Sequence, residues 1–197
     1  MNMTMQRSVL PLFLLAGAGL AQATIPGVYV GGGAGLSSLE SHFGSFKNQD
    51  VRRFGGRIFL GYNFTDYLGL ETNYTVFEKT KYLDINNPYS NNSEYALSNL
   101  SLVGKVYLPL GDAPFNAYGL LGAARAYGKL DRSYSSHYVV SNSYNEFVPT
   151  AGLGLNYDIS QRFTAGLELS GFGHRKAADN FGIPNTALAT LNFSYRM

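Results

Sequence analysis

The chain of 197 residues has no cysteine and no tryptophan. The first absence removes disulfides, thiolate metal centres and cysteine nucleophiles from consideration. Charge is scarce too. Asp, Glu, Lys and Arg make up 14% of the residues, against roughly 25% in an ordinary soluble domain. Basic residues are scattered among acids with no basic run, which argues against a nucleic-acid partner. Beyond the first residues there is also no long apolar run, and a helix that crosses a membrane needs ~20 such residues. If this chain lives in a membrane, it does not cross it with helices.

The one apolar run is at the start. Arg7 precedes Val9 to Leu20 (VLPLFLLAGAGL), and Ala21-Gln22-Ala23 follows. A basic flank, a short apolar stretch and an A-x-A triplet are the three parts of a cleavable export signal. Residues 1–23 are therefore expected to be removed, leaving residues 24–197 as a single domain close to neutral charge.

Glycine (23) and tyrosine (15) are abundant, and the bulky residues recur at every second position. In GYNFTDYLGLETNY, Gly61 to Tyr74, Tyr62, Phe64, Leu68, Leu70 and Tyr74 alternate with Gly61, Asn63, Gly69, Glu71 and Asn73 around a Thr65-Asp66 break. A period of two marks a strand with unlike faces. Eight such segments can be marked, at Gly27–Leu39, Arg52–Phe64, Leu68–Glu78, Glu94–Leu108, Phe115–Tyr127, Glu146–Ile159, Phe163–Phe172 and Asn185–Met197. Each is near the ~9–11 residues of a tilted membrane-crossing strand.

The connections differ by end. After the second, fourth and sixth segments they are short, as in Ser160-Gln161-Arg162. After the odd ones they are long and polar, as in KTKYLDINNPYSNNS (Lys79–Ser93). Tight periplasmic turns with longer outer loops are the pattern of an outer-membrane barrel. The face made of Arg53, Gly55, Arg57, Phe59, Gly61 and Asn63, continued by Thr150, Gly152, Gly154 and Asn156 and by Thr164, Gly166, Glu168, Ser170 and Phe172, is mostly small with few charges. That mixture suits a narrow lumen better than a solvated exterior, where about 25–35% charge is expected. The opposite face then meets lipid, with Phe54, Tyr62, Phe64, Tyr67, Tyr74, Phe163, Phe193 and Tyr195 as aromatic girdles. Backbone groups in lipid have no water to bond, so the sheet must close, the last segment against the first. The expected fold is all-β, an eight-stranded antiparallel up-and-down transmembrane β-barrel. A soluble lipocalin-like barrel with inverted faces is the structural rival.

GVYVGGGAGLS, the hairpin GYNFTDYLGLETNY and the alternating Leu191, Phe193 and Tyr195 of the closing segment resemble the OmpA-type small outer-membrane β-barrels over essentially the whole mature chain. The resemblance implies export to the outer membrane of a Gram-negative bacterium. It implies contact with outer-membrane lipid and lipopolysaccharide, and insertion by the outer-membrane assembly machinery. Two departures stand out: the chain ends Tyr195-Arg196-Met197 rather than on an aromatic residue, and peptidoglycan binding, as in longer family members, is not expected.

Parity points Arg57, Glu71, Lys105, Arg125 and Glu168 inward, with Glu71 and Lys105 on neighbouring strands. Charges in a dehydrated lumen are expected to pair across it. A polar plug is the favoured reading, because eight strands leave little open bore; a low-conductance gated channel is the alternative. His42, His137 and His174 fall in separate outer loops with no shared ligand spacing, so no metal site is expected. Ser170, His174 and Glu168 near the outer rim raise a lipid A-modifying enzyme as a second alternative. Ser170 and Glu168 point inward, however, and nothing brings a base to the serine. No catalytic residue and no cofactor is expected. Gly31 to Gly35 resemble a nucleotide loop only superficially, since no helix follows. A specific role is expected in the outer loops, rich in Tyr, Ser and Asn as in DRSYSSHYVVSNSYN (Asp131–Asn145). Such residues combine adaptable hydrogen bonding with aromatic anchors. The expected role is non-enzymatic: envelope integrity or adhesion to a host or surface ligand, by a protein expected to be a monomer.

Overall fold

Strict alternation leaves each segment one face that must avoid water and one that tolerates it, and the computed structural model closes the eight strands on that basis. It describes residues 24–39, 42–43, 46–48, 53–84, 90–111, 114–134, 138–173, 175–176 and 182–197. The expected export signal, residues 1–23, lies outside the described residues. The barrel strands are β1 (Gly27–Leu39), β2 (Arg53–Asn63), β3 (Leu68–Asp84), β4 (Ser90–Pro109), β5 (Phe115–Tyr134), β6 (Tyr138–Asp158), β7 (Phe163–Phe172) and β8 (Thr186–Arg196). Each pairs antiparallel with its sequence neighbour, and β8 pairs with β1 from Arg196↔Tyr29 to Thr186↔Leu39. The sheet therefore has no edge at membrane height. No helix occurs among the described residues.

Exposure follows the predicted faces. Along β2, Arg57, Phe59 and Asn63 are buried in the lumen, while Phe54, Ile58, Leu60 and Tyr62 are exposed. The eight girdle aromatics Phe54, Tyr62, Phe64, Tyr67, Tyr74, Phe163, Phe193 and Tyr195 all lie on the outside. Tyr62 with Phe64, Phe115 with Tyr157, and Phe163 with Tyr195 pack ring on ring beside the short turns. Those turns are held by side chains that accept backbone amides. Thr65 Oγ1 receives the amides of Tyr67 and Leu68, and Ser160 Oγ those of Arg162 and Phe163. The glycine-rich stretch of β1 permits close approach to β8: a Cβ on Gly35 would overlap the Ala189 carbonyl.

The long connections differ from expectation. Much of what reads as polar loop after the third and fifth segments is strand. β3 continues to Asp84 and β4 begins at Ser90; β5 continues to Tyr134 and β6 begins at Tyr138. A polar composition signals water, which here meets the outer face, where Lys79, Lys129 and Ser143 are exposed, while Tyr95, Leu130 and Tyr144 are buried on the inner one. Four strands therefore stand above the membrane while β2 and β7 stop near its surface. A bulge in β3 between Phe77 and Thr80 marks the rim and reverses parity, so that Phe77 below it and Thr80 above it both face inward.

Candidate functional site

The lower lumen is filled by one hydrogen-bonded charge network. Arg57 on β2 reaches Glu71 on β3 (2.6 Å), Asn73 (2.5 Å) and Glu168 on β7 across the bore. Lys105 on β4 binds the other oxygen of Glu71 (2.5 Å) and stands 4.0 Å from Glu168. Two cations thus meet two carboxylates, and all four side chains are nearly inaccessible to water. Three tyrosines complete the network. Tyr29 donates to Glu71 (2.9 Å), Tyr118 donates to Glu168 (2.7 Å), and Tyr107 packs on Tyr118. The Lys105 ammonium lies 4.5 Å from the Tyr118 ring centroid. A carboxylate in a bore without bulk water needs donors, and Glu71 receives three and Glu168 two.

Above the network the lumen turns apolar. Leu39, Phe77, Leu97, Val148, Phe172 and Leu188 form a buried cluster with Tyr95, Leu130 and Tyr144. Phe77 and Phe172 meet edge to face at 5.9 Å. Ile183, from a short hairpin of Arg175–Lys176 and Gly182–Ile183, enters this cluster and is 1% exposed. The connection between β7 and β8 thus folds back into the outer mouth. Two lumen cavities, about 30 Å³ and about 10 Å³, lie against the charge network, each lined by Arg57 and Glu168. They have room for isolated waters, not for a hydrated ion.

The third feature is the overhang of β3 to β6. Its outer face carries Lys79 paired with Glu94 (3.4 Å) and Lys129 paired with Asp131 (3.4 Å). The Ser141 hydroxyl donates to Asp131 (2.6 Å), which holds that exposed carboxyl below the usual carboxylate range.

Of the five charges assigned to the lumen, four meet in the network and one does not. Arg125 is exposed on the outer face of β5, its Nε donating to Asn145 (2.9 Å) and its guanidinium over the Tyr127 and Phe147 rings. The strand's own alternation places it there: Phe115, Leu121 and Tyr127 share the odd positions of Arg125 and are exposed, whereas its charge suggests the lumen. An arginine at the aromatic belt reaches water while its stem stays apolar. Replacing Arg125 by alanine is therefore expected to change unfolding free energy by less than about 0.5 kcal/mol, as for other surface positions. Urea titration of the protein in detergent checks this, and a larger loss would place the side chain in a structural contact.

Ser170 is buried in the lumen and donates weakly to the Leu188 carbonyl (3.5 Å). His137 and His174 lie outside the described residues, as does the side chain of His42. Among the described residues no cluster suited to a metal occurs. Sequence reasoning missed the tyrosines and the apolar upper plug. Tyr29, Tyr107 and Tyr118 share the inward parity of Arg57 and Glu71, which is the signal that identifies them.

A model of the outer membrane protein beta-barrel domain matches residues 8–196. An uncharacterised protein of Coxiella burnetii is 25% identical over 213 residues, covering 86% of this chain and 85% of that protein. Among solved structures, Ail, the attachment invasion locus protein of Yersinia pestis, is 17% identical with a TM-score of 0.55, over 88% of this chain and 100% of Ail. Neisserial surface protein A is 12% identical with a TM-score of 0.60, over 86% and 97%. OprG of Pseudomonas aeruginosa is 13% identical with a TM-score of 0.60, over 89% and 98%. At these identities the structural likeness is one of fold.

Proposed function

The chain belongs to the outer membrane protein β-barrel family, a Gram-negative outer-membrane protein, and from that premise we propose that it is a non-enzymatic surface-contact protein acting through its extracellular overhang. One observation carries this reading. The lumen is closed twice, by an ion-paired network and by an apolar plug, whereas the four strands above the membrane are extended and largely polar. Material has no route through such a barrel, so specific work falls to what stands outside it. Ail, a protein of the same fold, bears the name attachment invasion locus, in keeping with a role in contact. Lipid and lipopolysaccharide surround the aromatic belts, the outer-membrane assembly machinery inserts the chain, and the barrel works as a monomer after loss of residues 1–23.

The test shortens the overhang without touching the plugs. Residues 132–140 are removed and the Asp131↔Ser141 pair is closed with an Asn-Gly turn, the favoured two-residue hairpin. Bacteria carrying the intact protein are expected to adhere to epithelial monolayers above a vector control, and the shortened barrel is expected to lose that gain. Heat-dependent gel mobility confirms that the variant still folds. Equal adherence of intact, shortened and vector strains overturns the reading.

A further inference from the structure

The outer face of β3 to β5 carries a groove at headgroup depth, and we propose that it binds the zwitterionic phosphoethanolamine headgroup of a phospholipid from the surrounding outer leaflet. This goes beyond the contact function and does not depend on it.

Strand register sets the outward side chains in rows. Val76, Ser98 and Tyr127 form one row. In the next row outward, Ala96 lies between Lys79, at the β3 bulge, and Lys129 of β5. Beyond it stand Lys81, Glu94 and Asp131. The first of these rows lies at the outer boundary of the lipid. From Leu108 to Ser98, β4 rises about 25 Å at a tilt of about 40°, which is the height of a barrel's apolar band. Ser98 and Ala96 are small, so the sheet is recessed between the side chains of Tyr74 and Tyr127, and a groove of about 580 Å³ results. Tyrosine rings suit this depth, one end apolar and the other wet. Lys79 and Lys129 line the same groove.

The charges around the groove come in pairs. Lys79 leans on Glu94 and Lys129 on Asp131, each at 3.4 Å, and all four side chains are reached by water. An ammonium has three donors, so one long contact leaves each lysine able to bind a phosphate oxygen. A ligand carrying negative charge alone must compete with Glu94 and Asp131 for the two lysines. A phosphate followed by an ammonium exchanges pair for pair, phosphate to the lysines and ammonium to the acids. The acids favour such a guest. Glu94 and Asp131 stand directly opposite each other in the β4–β5 ladder, where like charges repel, and the Ser141 hydroxyl helps to keep Asp131 ionised. Lys81 flanks Glu94 on the side away from Asp131, so a cation seated between the two carboxylates relieves a repulsion that Lys81 does not.

The polarity of the groove identifies the source of the headgroup. From the lipid outward it presents apolar side chains, then lysines, then acids. That is the order of acyl chain, phosphate and ammonium in a lipid of the same leaflet. A lipid of an apposed membrane arrives inverted and sets its ammonium against the lysines. An unmodified lipid A phosphate brings no ammonium and meets the acids as a like charge. The arrangement is also local. Where β1, β7 and β8 leave the lipid, their last outward residues are Ser38, Gly171 and Ala187, none of them charged.

The experiment gives the full barrel in detergent an equimolar mixture of phosphatidylethanolamine and phosphatidylglycerol with identical acyl chains. Retained lipid is weighed by native mass spectrometry. Phosphatidylethanolamine is expected to be retained in preference by about tenfold, within what two exposed ion pairs supply. Glu94→Gln combined with Asp131→Asn is expected to reverse the preference, because the lysines are freed for a phosphate and the ammonium loses its acceptors. Ala96→Trp fills the groove without changing charge and is expected to lose the retained lipid, as is Lys79→Gln combined with Lys129→Gln. Heat-dependent gel mobility shows that each variant is folded. Equal retention of the two lipids by the native barrel overturns the proposal. A preference unchanged in the variant without the acids also overturns it and marks ordinary annular lipid. Preferred retention of lipid A, when it is added to the mixture, overturns it in favour of a simple phosphate site.

Discussion

Replacing Glu71 by glutamine is expected to destabilise the barrel by about 3–5 kcal/mol, the usual cost of removing one partner from a buried ion pair. Glu71 is 0% exposed and binds Arg57, Lys105 and Tyr29 at once. Without its charge two cations face the single carboxylate of Glu168, and Lys105, already 4.0 Å from Glu168, has no direct ionic partner. The amide also presents a donor to groups arranged as donors. The comparison that isolates charge balance is the double variant Glu71→Gln with Lys105→Met. It leaves Arg57 facing Glu168 and fills the lysine's volume with an apolar chain, and buried pairs replaced in this way are often close to neutral. Urea unfolding followed by gel mobility is expected to place the double variant well above the single one. Equal stability of the two would mean that Glu71 works through shape and hydrogen bonds, not through charge.

The same four charges show where alternation in a sequence carries information and where it does not. Arg57, Glu71, Lys105 and Glu168 sit within strict alternation, flanked on both sides by residues that declare their faces, such as Ile58 beside Arg57 and Leu70 beside Glu71. Parity alone then places them in the lumen. Arg125 sits among alanines, and its outward position follows only from the flanking Leu121 and Tyr127, which share its parity. The eight strands and the closing pair were legible for the same reason that the four are. The overhang was not, because the pattern of two unlike faces exists only where lipid bathes one of them. Beyond Phe77 or Tyr127 the outer face meets water and loses its apolar residues, so the contrast between faces fades although Leu130 stays buried, and the bulge at Glu78 and Lys79 shifts the register besides. The upper plug escaped for a related reason. Leu97, Val148 and Leu188 face inward, and an apolar residue on a lumen face does not stand out against the apolar residues of the lipid face.

Two plugs in series make a prediction that one plug does not. The native barrel is expected to show no openings in planar bilayers, because an ion must pass both the paired charges and the apolar cluster. Opening the upper plug alone, with Ile183→Ser and Leu188→Ser, replaces two side chains that are 1% and 0% exposed with small polar ones and admits water to the outer half. Current is still expected to be absent, since Arg57, Lys105, Glu71 and Glu168 remain bonded across the bore beneath. Neutralising the lower network alone is likewise expected to give none, because an ion entering an apolar cluster sheds its hydration at a cost on the order of 20 kcal/mol before any compensation. Only the combined variant, prepared in a form that still shows the heat-dependent mobility shift, is expected to conduct. Openings in the native protein would restore the gated-channel reading outright. Openings in the upper-plug variant alone would show that the charge network transmits ions, so that the apolar cluster and the inserted Ile183 are the gate.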